Sequence, residues 1–360
     1  MKRLEIHGCT ERELIDLCQE LGLKRFRGTQ LFQWVQQKGA ADWDELKNIG
    51  QTDKELLKER LELVKIPILR EQQSKDGTRK FLLGLADGEG IECVLMDYDR
   101  KQSRDRHTVC LSTQVGCAVG CTFCATGLGG FRRNLTAGEI VGQVLGITRK
   151  MREIEPGFQV TNLVFMGMGE PLLNYDEVLK TIEILNSEHG QNIGMRRMTI
   201  STSGVAPKIR QLAKDNPQVG LAVSLHAAND EWRNELIPMN RRYPLSELMA
   251  ACREYSGITN RRITFEVALI ADKTTDKFAR ELAGLLSDQL GHVNLIPVNP
   301  VNETGMQRPT RDQLMMFAKI LERNGIAVSV REERGTDIDA ACGQLRRRWE
   351  SEPNEFNCPV

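Results

Sequence analysis

Three cysteines constrain this chain more than anything else in it. Residues 116–127 read Gly-Cys-Ala-Val-Gly-Cys-Thr-Phe-Cys-Ala-Thr-Gly, which places Cys117, Cys121 and Cys124 at C-x3-C-x2-C. The stretch is too short and too glycine-rich to be a helix or a strand. Thiolates are the soft ligands that iron–sulfur clusters select. A 4Fe-4S cubane takes one ligand per iron, so three local thiolates leave one iron open to a small molecule unless a distant residue fills it. The competing reading is a structural zinc knot. Such sites usually draw four ligands from paired C-x2-C spacings, and no partner pair is visible here.

At 360 residues the chain is long enough for one large α/β domain with a small appendage. An apolar content of 40% and a charged content of 27% are those of a soluble globular protein. No run of eighteen apolar residues occurs, so no segment is expected to span a membrane. The opening Met-Lys-Arg-Leu-Glu-Ile-His lacks the apolar stretch of a secretory signal. Ten cysteines then point to a reducing cytoplasm rather than to a disulfide scaffold.

The formal net charge is zero, yet the basic residues are bunched. The bunches are Lys24-Arg25-Phe26-Arg27, Arg132-Arg133, Arg196-Arg197, Arg241-Arg242, Arg261-Arg262 and Arg346-Arg347-Arg348-Trp349. Any one pair reads as solvated surface. Six in a neutral protein suggest a local positive face of the kind that meets a phosphate backbone.

Residues 1–65 carry apolar side chains at helical spacing, as in 13–18 and 30–35, with a basic turn at 24–28 between them. This is a small helical module that either touches nucleic acid or packs as an appendage. Residues 66–102 form a connecting region, where 79–86 and 91–96 read as a β-hairpin about the turn Asp87-Gly-Glu-Gly, followed by a charged loop over 98–107. Over 103–338 strands and helices alternate. Candidate strands are 108–112, 161–166, 198–201, 220–225, 262–269, 294–298 and 327–330, and helices begin near Thr136, Asn174, Val205, Pro244, Thr274 and Thr310. Such repetition means a parallel sheet with right-handed crossovers. Six βα units and a last strand are too few for a closed barrel, so the fold class is an α/β incomplete (βα)6 barrel with its chemistry at the C-terminal strand ends. Residues 339–360 form a C-terminal segment.

Four of those ends carry sequences that strand propensity does not explain: Gly167-Met-Gly169-Glu170-Pro171, Ser201-Thr-Ser-Gly204, Ser224-Leu225-His226-Ala, and Val298-Asn299-Pro300. Singly each is an ordinary turn; at corresponding ends of one barrel they read as a cofactor pocket, with Glu170 placed to accept from an ammonium. Two further cysteines stand out. Cys110 lies in the first strand, where burial in the core is the ordinary reading. Cys342 follows Asp337 and Asp339 in an irregular, glycine-flanked stretch. Cys9, Cys18, Cys93, Cys252 and Cys358 read as packing.

These segments resemble the radical S-adenosylmethionine RNA methyltransferases that modify an adenine in 23S rRNA. The resemblance runs through the cysteine triplet, Gly167-Met-Gly-Glu-Pro, Ser201-Thr-Ser-Gly, Ser224-Leu-His-Ala, His292-Val-Asn-Leu-Ile-Pro-Val-Asn299 and Asp337-Ile-Asp-Ala-Ala-Cys-Gly-Gln-Leu345, and covers nearly the whole chain. It implies one 4Fe-4S cluster on Cys117, Cys121 and Cys124. It also implies a S-adenosylmethionine site at Gly169, Glu170, Ser201, Ser224, Leu225, His226 and Asn299. Two cofactor molecules would be used per turnover, one as methyl donor and one as radical source.

The family's chemistry follows from its target. Carbon 2 of adenine is electron-poor and cannot attack a methyl sulfonium. The resemblance implies that Cys342 takes the methyl group first, as a thiolate nucleophile. A 5′-deoxyadenosyl radical then removes hydrogen from that methyl, and the carbon radical adds to the ring. Glu92 would take the ring proton, and Cys110 would attack Cys342 to release product and leave a disulfide. The implied targets are C2 of adenine 2503 in 23S rRNA and C2 of adenine 37 in tRNA, reached by extruding the base. The implied partners are these RNAs and an electron-donor protein such as flavodoxin, with the enzyme a cytoplasmic monomer. The closest rival is the relative that methylates carbon 8 and confers antibiotic resistance. A rival of another class is a non-catalytic iron–sulfur sensor or RNA-binding protein.

Overall fold

The computed structural model describes residues 3–98, 106–299, 301 and 303–345. Cys358, the Arg346 bunch, Pro300 and most of the charged loop expected over 98–107 lie outside them.

The amino-terminal module is closed by a short parallel pair, β1 (Leu4–Glu5) and β2 (Leu61–Glu62), around α1 (Glu11–Glu20), α2 (Phe26–Phe32) and α3 (Gln51–Arg60). A capping box between Thr10 and Glu13 starts α1. The helix expected over 30–35 is in fact the end of α2 running into a π-helical turn, Gln33–Gln37. The basic turn is shorter than expected, because Phe26 already opens α2 and stays 49% exposed. Gly28 permits the close crossing of α1 and α2: a Cβ there would lie 2.5 Å from the Cα of Ile15. The module rests on the barrel helix that follows the cysteine loop, where a Cβ on Gly8 would meet the backbone nitrogen of Gly138 at 2.7 Å.

A ten-stranded sheet makes up the rest. Its antiparallel part is β3 (Ile68–Gln73), β4 (Arg79–Gly84) and β5 (Gly90–Tyr98). The β4–β5 hairpin matches the expected one; β3 was not foreseen, since Ile-Leu-Arg-Glu-Gln-Gln lacks the alternation of a half-buried strand. β5 then pairs antiparallel with β6 (Arg106–Cys110). A small separate hairpin, β7 (Gln114–Gly116) with β8 (Phe131–Asn134), flanks the cysteine loop and the short helix α4 (Ala125–Leu128). Part of the 116–127 stretch is therefore helical.

From there strand and helix alternate: α5 (Ala137–Arg152), β9 (Asn162–Phe165), α6 (Tyr175–Asn186), β10 (Met198–Thr202), α7 (Ala206–Asp215), β11 (Gly220–Ser224), α8 (Asp230–Leu236), α9 (Leu245–Thr259), β12 (Ile263–Leu269), α10 (Asp276–Leu286), β13 (Gly291–Pro297), α11 (Arg311–Arg323) and β14 (Val328–Val330). The strands from β6 and β9 to β14 lie parallel in sequence order, and the sheet ends on β14 at one edge and β3 at the other without closing. The incomplete barrel is thus present, with the hairpin region built onto its first strand as part of the same sheet. The expected helix starts hold within a residue. α10 begins after Thr275 rather than Thr274, because the Thr274 hydroxyl donates back to the Ile270 carbonyl while Thr275 caps Phe278.

Among the described residues the arginine pairs do not gather on one face. Arg196 and Arg197 immediately precede β10, and Arg261 and Arg262 precede β12, at the N-terminal strand ends. Arg132 and Arg133 in β8 and Arg241 and Arg242 beyond β11 lie toward the opposite end. Sequence clustering carries no information about which end of a parallel strand a pair borders. No described helix is long and apolar enough to cross a membrane.

Candidate active site and cofactor pocket

One cavity opens at the C-terminal ends of the parallel strands. Its wall is made in turn by Cys117, Cys121 and Cys124 after β6, Gly169 and Glu170 after β9, Ser201 to Ser203 at β10, Ser224 and His226 at β11, Glu266 in β12, Asn299 after β13, and Cys342 with Gly343. The polar strand ends are therefore brought together as expected, with one exception. Leu225 is fully buried and does not border the cavity; its backbone pairs with β12.

Backbone geometry shapes the cysteine loop. Gly116 has φ +77°, and a Cβ there would overlap the carbonyl oxygen of Gly130 at 1.9 Å. The Cys117 N–H donates to that same oxygen at 2.9 Å. Burial pushes the Cys117 thiol up to about 12 and Cys121 well above the usual range, so as free thiols they are protonated and ligation must take the protons away. Among the described residues, no three His, Cys, Asp or Glu side chains gather tightly enough to hold one metal ion. The three thiols border one wall of the cavity, where they would hold a cluster on three thiolates.

Glu170 is buried, and its carboxylate already accepts from the Leu172 N–H at 3.0 Å and the Ser203 N–H at 2.6 Å. These bonds fix the carboxylate at the cavity wall while burial raises its pKa. Gly169 has φ +107° and lies against the Gln114 side chain, 2.7 Å from where a Cβ would sit. His226 also adopts a left-handed backbone, φ +59°. Its Nδ1 accepts from the Ala268 N–H at 2.9 Å, which leaves the ring proton on Nε2. Burial pushes this imidazole down to about 3, so it is neutral at any working pH. Ser201 donates to Glu266 at 3.3 Å.

A second cavity shares a wall with the first. Cys124, Met166, Gly167, Ile296, Asn299, Cys342 and Gly343 border both. Cys110, Val94, Met96, Tyr98 and Arg331 border only the second. Cys342 thus stands between the strand-end cavity and a chamber that contains Cys110. Burial pushes Cys110 up to about 12, reinforced by Cys342. Burial also raises Cys342, and Arg331 opposes that shift. Arg331 lies 3.8 Å from Glu266.

Glu92 lies on the same face of β5 as Val94, Met96 and Tyr98, one pleat deeper. It does not border either cavity; its carboxylate meets the Lys80 ammonium at 3.2 Å, both groups buried. Lys80 also donates to the Asp339 carbonyl at 3.2 Å.

The stretch around Cys342 is held from four sides. Asp337 accepts from the Ser74 hydroxyl at 2.5 Å, the Gly335 N–H donates to Asp76 at 2.8 Å, the Ala125 N–H donates to the Gly343 carbonyl at 2.8 Å, and the Thr126 hydroxyl donates to the Leu345 carbonyl at 2.5 Å. Sequence reasoning missed Lys80, Glu266, Arg331 and Arg233. A lone glutamate inside Ile-Thr-Phe-Glu-Val-Ala-Leu was the available signal for Glu266; the others resemble ordinary surface charges.

Two family models match the chain: the radical SAM superfamily over residues 111–282 and the ribosomal RNA large subunit methyltransferase N-terminal domain over residues 4–63. A protein of Desulfitobacterium hafniense strain Y51, described as a probable dual-specificity RNA methyltransferase RlmN, is 66% identical over 352 residues, 98% of this chain and 99% of that one. One of the same description from Heliobacterium modesticaldum is 49% identical over 95% of this chain and 89% of its own. The crystal structure of a radical SAM methyltransferase from Sphaerobacter thermophilus superposes with a TM-score of 0.90 at 48% identity, covering 96% of this chain and 99% of that one.

Proposed function

From membership of the RlmN family of radical SAM dual-specificity RNA methyltransferases, to which this chain belongs, we propose that it methylates C2 of adenine 2503 in 23S rRNA and C2 of adenine 37 in tRNA through an S-methylcysteine on Cys342. The observation that carries this reading is the position of Cys342 on the wall common to the strand-end cavity and the chamber that holds Cys110.

The residues divide the work. Cys117, Cys121 and Cys124 would hold the cluster, and Glu170, Ser201, Ser224, His226 and Asn299 would border the S-adenosylmethionine beside it. When bound, the cluster supplies the electron that splits S-adenosylmethionine and so provides the hydrogen-abstracting radical. Cys342, as thiolate, displaces S-adenosylhomocysteine from a first cofactor molecule: its S–CH3 bond forms as the sulfonium C–S bond breaks. Arg331 favours that thiolate. The sulfur then presents its methyl carbon to both compartments. The base for the proton on C2 of the adenine would be Glu92, which borders neither cavity as it stands and would have to leave its Lys80 contact to reach the ring. After the methyl-derived carbon radical has added to the ring, one electron would return to the cluster as the C2 proton leaves. Cys110 then attacks the sulfur of Cys342, and the S–C bond breaks with its electron pair going to the methylene carbon. That carbon takes up a proton to become the product methyl. The disulfide left behind is reduced by two electrons from an external thiol; a donor protein such as flavodoxin would serve the cluster. Two cofactor molecules are used per turnover, by a cytoplasmic monomer.

The test is an anaerobic assay of the reconstituted chain with 23S rRNA fragments and tRNA, followed by mass spectrometry of the nucleosides. 2-Methyladenosine together with 5′-deoxyadenosine is the expected result. 8-Methyladenosine would move the reading to the carbon-8 relative, and cofactor turnover without RNA product would overturn it.

A further inference from the structure

α8 interrupts the connection between β11 and α9 and carries Arg233, whose side chain is fully buried. The guanidinium donates from Nε to the Leu225 carbonyl at 3.0 Å, from Nη2 to the carbonyls of Ser203 at 2.6 Å and Ser224 at 3.0 Å, and from Nη1 to Asn240 Oδ1 at 2.8 Å. All four acceptors are uncharged. The Asp230 carboxylate reaches this arrangement only through Asn240, whose Nδ2 donates to it at 2.8 Å. Burial pushes Arg233 down to about 10, the direction of a cation removed from water without full compensation. A buried charge compensated only at a distance is unfavourable, so the position favours an anion nearer to the guanidinium than Asp230.

The same helix grips the cysteine loop. The Thr122 N–H donates to the Leu236 carbonyl at 3.1 Å and its hydroxyl to the Glu235 carbonyl at 3.3 Å. Cys121, the preceding residue, is near enough to Arg233 that its thiolate form would stabilise the guanidinium more than Asp230 does. Thiolates on a cluster are the anion that this geometry brings to the buried cation.

We propose that Arg233 is the counter-charge of the cluster held by Cys117, Cys121 and Cys124, raising its reduction potential through charge while its hydrogen bonds fix the ends of β10 and β11 that bear Ser203 and Ser224. The proposal rests on the cluster assignment. Reduction adds a negative charge to the cluster, and a nearby cation in a poorly solvated site stabilises the reduced form more than the oxidised one. Arg233 acts through the cluster and the strand ends; it is a positioning residue.

The experiment compares the full chain with Arg233→Gln, Arg233→Lys and Asn240→Asp, each reconstituted anaerobically without RNA, assayed for iron and sulfide, and titrated against dithionite with the reduced cluster followed by electron paramagnetic resonance. The expected result is a shift to more negative potential in Arg233→Gln and a potential near that of the parent in Arg233→Lys. A wild-type potential in an iron-replete Arg233→Gln, or equal shifts in the Gln and Lys variants, overturns the role of charge. Should Arg233→Gln fail to fold, Asn240→Asp decides: it supplies a carboxylate at the same hydrogen bond, a more negative potential is expected, and an unchanged one overturns the proposal. Absence of iron from the parent protein is a failure of the cluster assignment and is seen before any potential is measured.

Discussion

The side-chain amide of Asn299 donates to the carbonyl oxygen of Cys342 across 3.0 Å. The end of β13 therefore holds the loop that carries this thiol, in addition to bordering the cavity. Asn299→Ala removes one hydrogen bond, about 1 kcal/mol of stability, but releases the sulfur from its position between the two cavities. We expect a fall in methylation rate on the order of tenfold or more with a melting temperature only slightly lowered, read by single-turnover assay and calorimetry.

Cys117→Ala leaves two thiols for a three-ligand site. Iron and sulfide content after anaerobic reconstitution should fall to background together with the visible absorbance of the cluster. A variant that retains a full cluster would remove Cys117 from the ligand set.

Cys342→Ala should abolish both methylation of the protein and methylation of RNA. Cys110→Ala should instead leave the first step intact and accumulate a covalent protein–RNA adduct, visible by denaturing gel and mass spectrometry. Normal turnover in that variant would show that Cys110 does not resolve the adduct.

The Lys80–Glu92 pair is buried on both sides. Lys80→Met takes the ammonium away from a buried carboxylate and should cost up to about 3–5 kcal/mol of folding stability. Lys80→Met combined with Glu92→Gln should recover most of that loss, because no buried charge is then left without its countercharge. Denaturant melts of the single and double variants measure both, and an undiminished loss in the double variant would rule out the ion pair as its cause.

His7 is buried where the amino-terminal module meets the barrel, and its pKa is lowered from 6.5 to about 4 by burial. The unfolded chain then binds a proton that the folded one refuses between those values. The stability this difference represents is complete above pH 6.5 and is lost as pH falls toward 4, at most about 3 kcal/mol. His7→Gln should flatten the fall of melting temperature over that window; an unchanged slope would assign it to other groups.

The sequence carried the barrel well, because β9 to β13 are short apolar runs bounded by caps and turns, and both signals are local. The cysteine triplet, Glu170, Ser224, His226 and Cys342 were legible for the same reason: glycines and polar residues stand where strand propensity asks for neither. What escaped was set by distance. β3 is a strand because β4 gives its backbone a partner, not because its side chains alternate. Arg233 lies on a polar seven-residue helix that reads as surface, and only the turn of the chain after β11 drives it beneath the pocket. Lys80 was separable from ordinary hairpin charges only once β4 and β5 were seen to bury that face against Glu92. The described arginine pairs fall at both ends of the barrel, which adjacency along the chain does not tell.

The bonds that fasten the last described stretch have a temporal meaning. Ser74 to Asp337 spans 263 positions, Lys80 to Asp339 spans 259 and Thr126 to Leu345 spans 219. Closing circuits of that length comes late in folding. A chain still emerging from its ribosome therefore completes the segment that carries Cys117, Cys121 and Cys124 before the one that carries Cys342 can be fastened beside it.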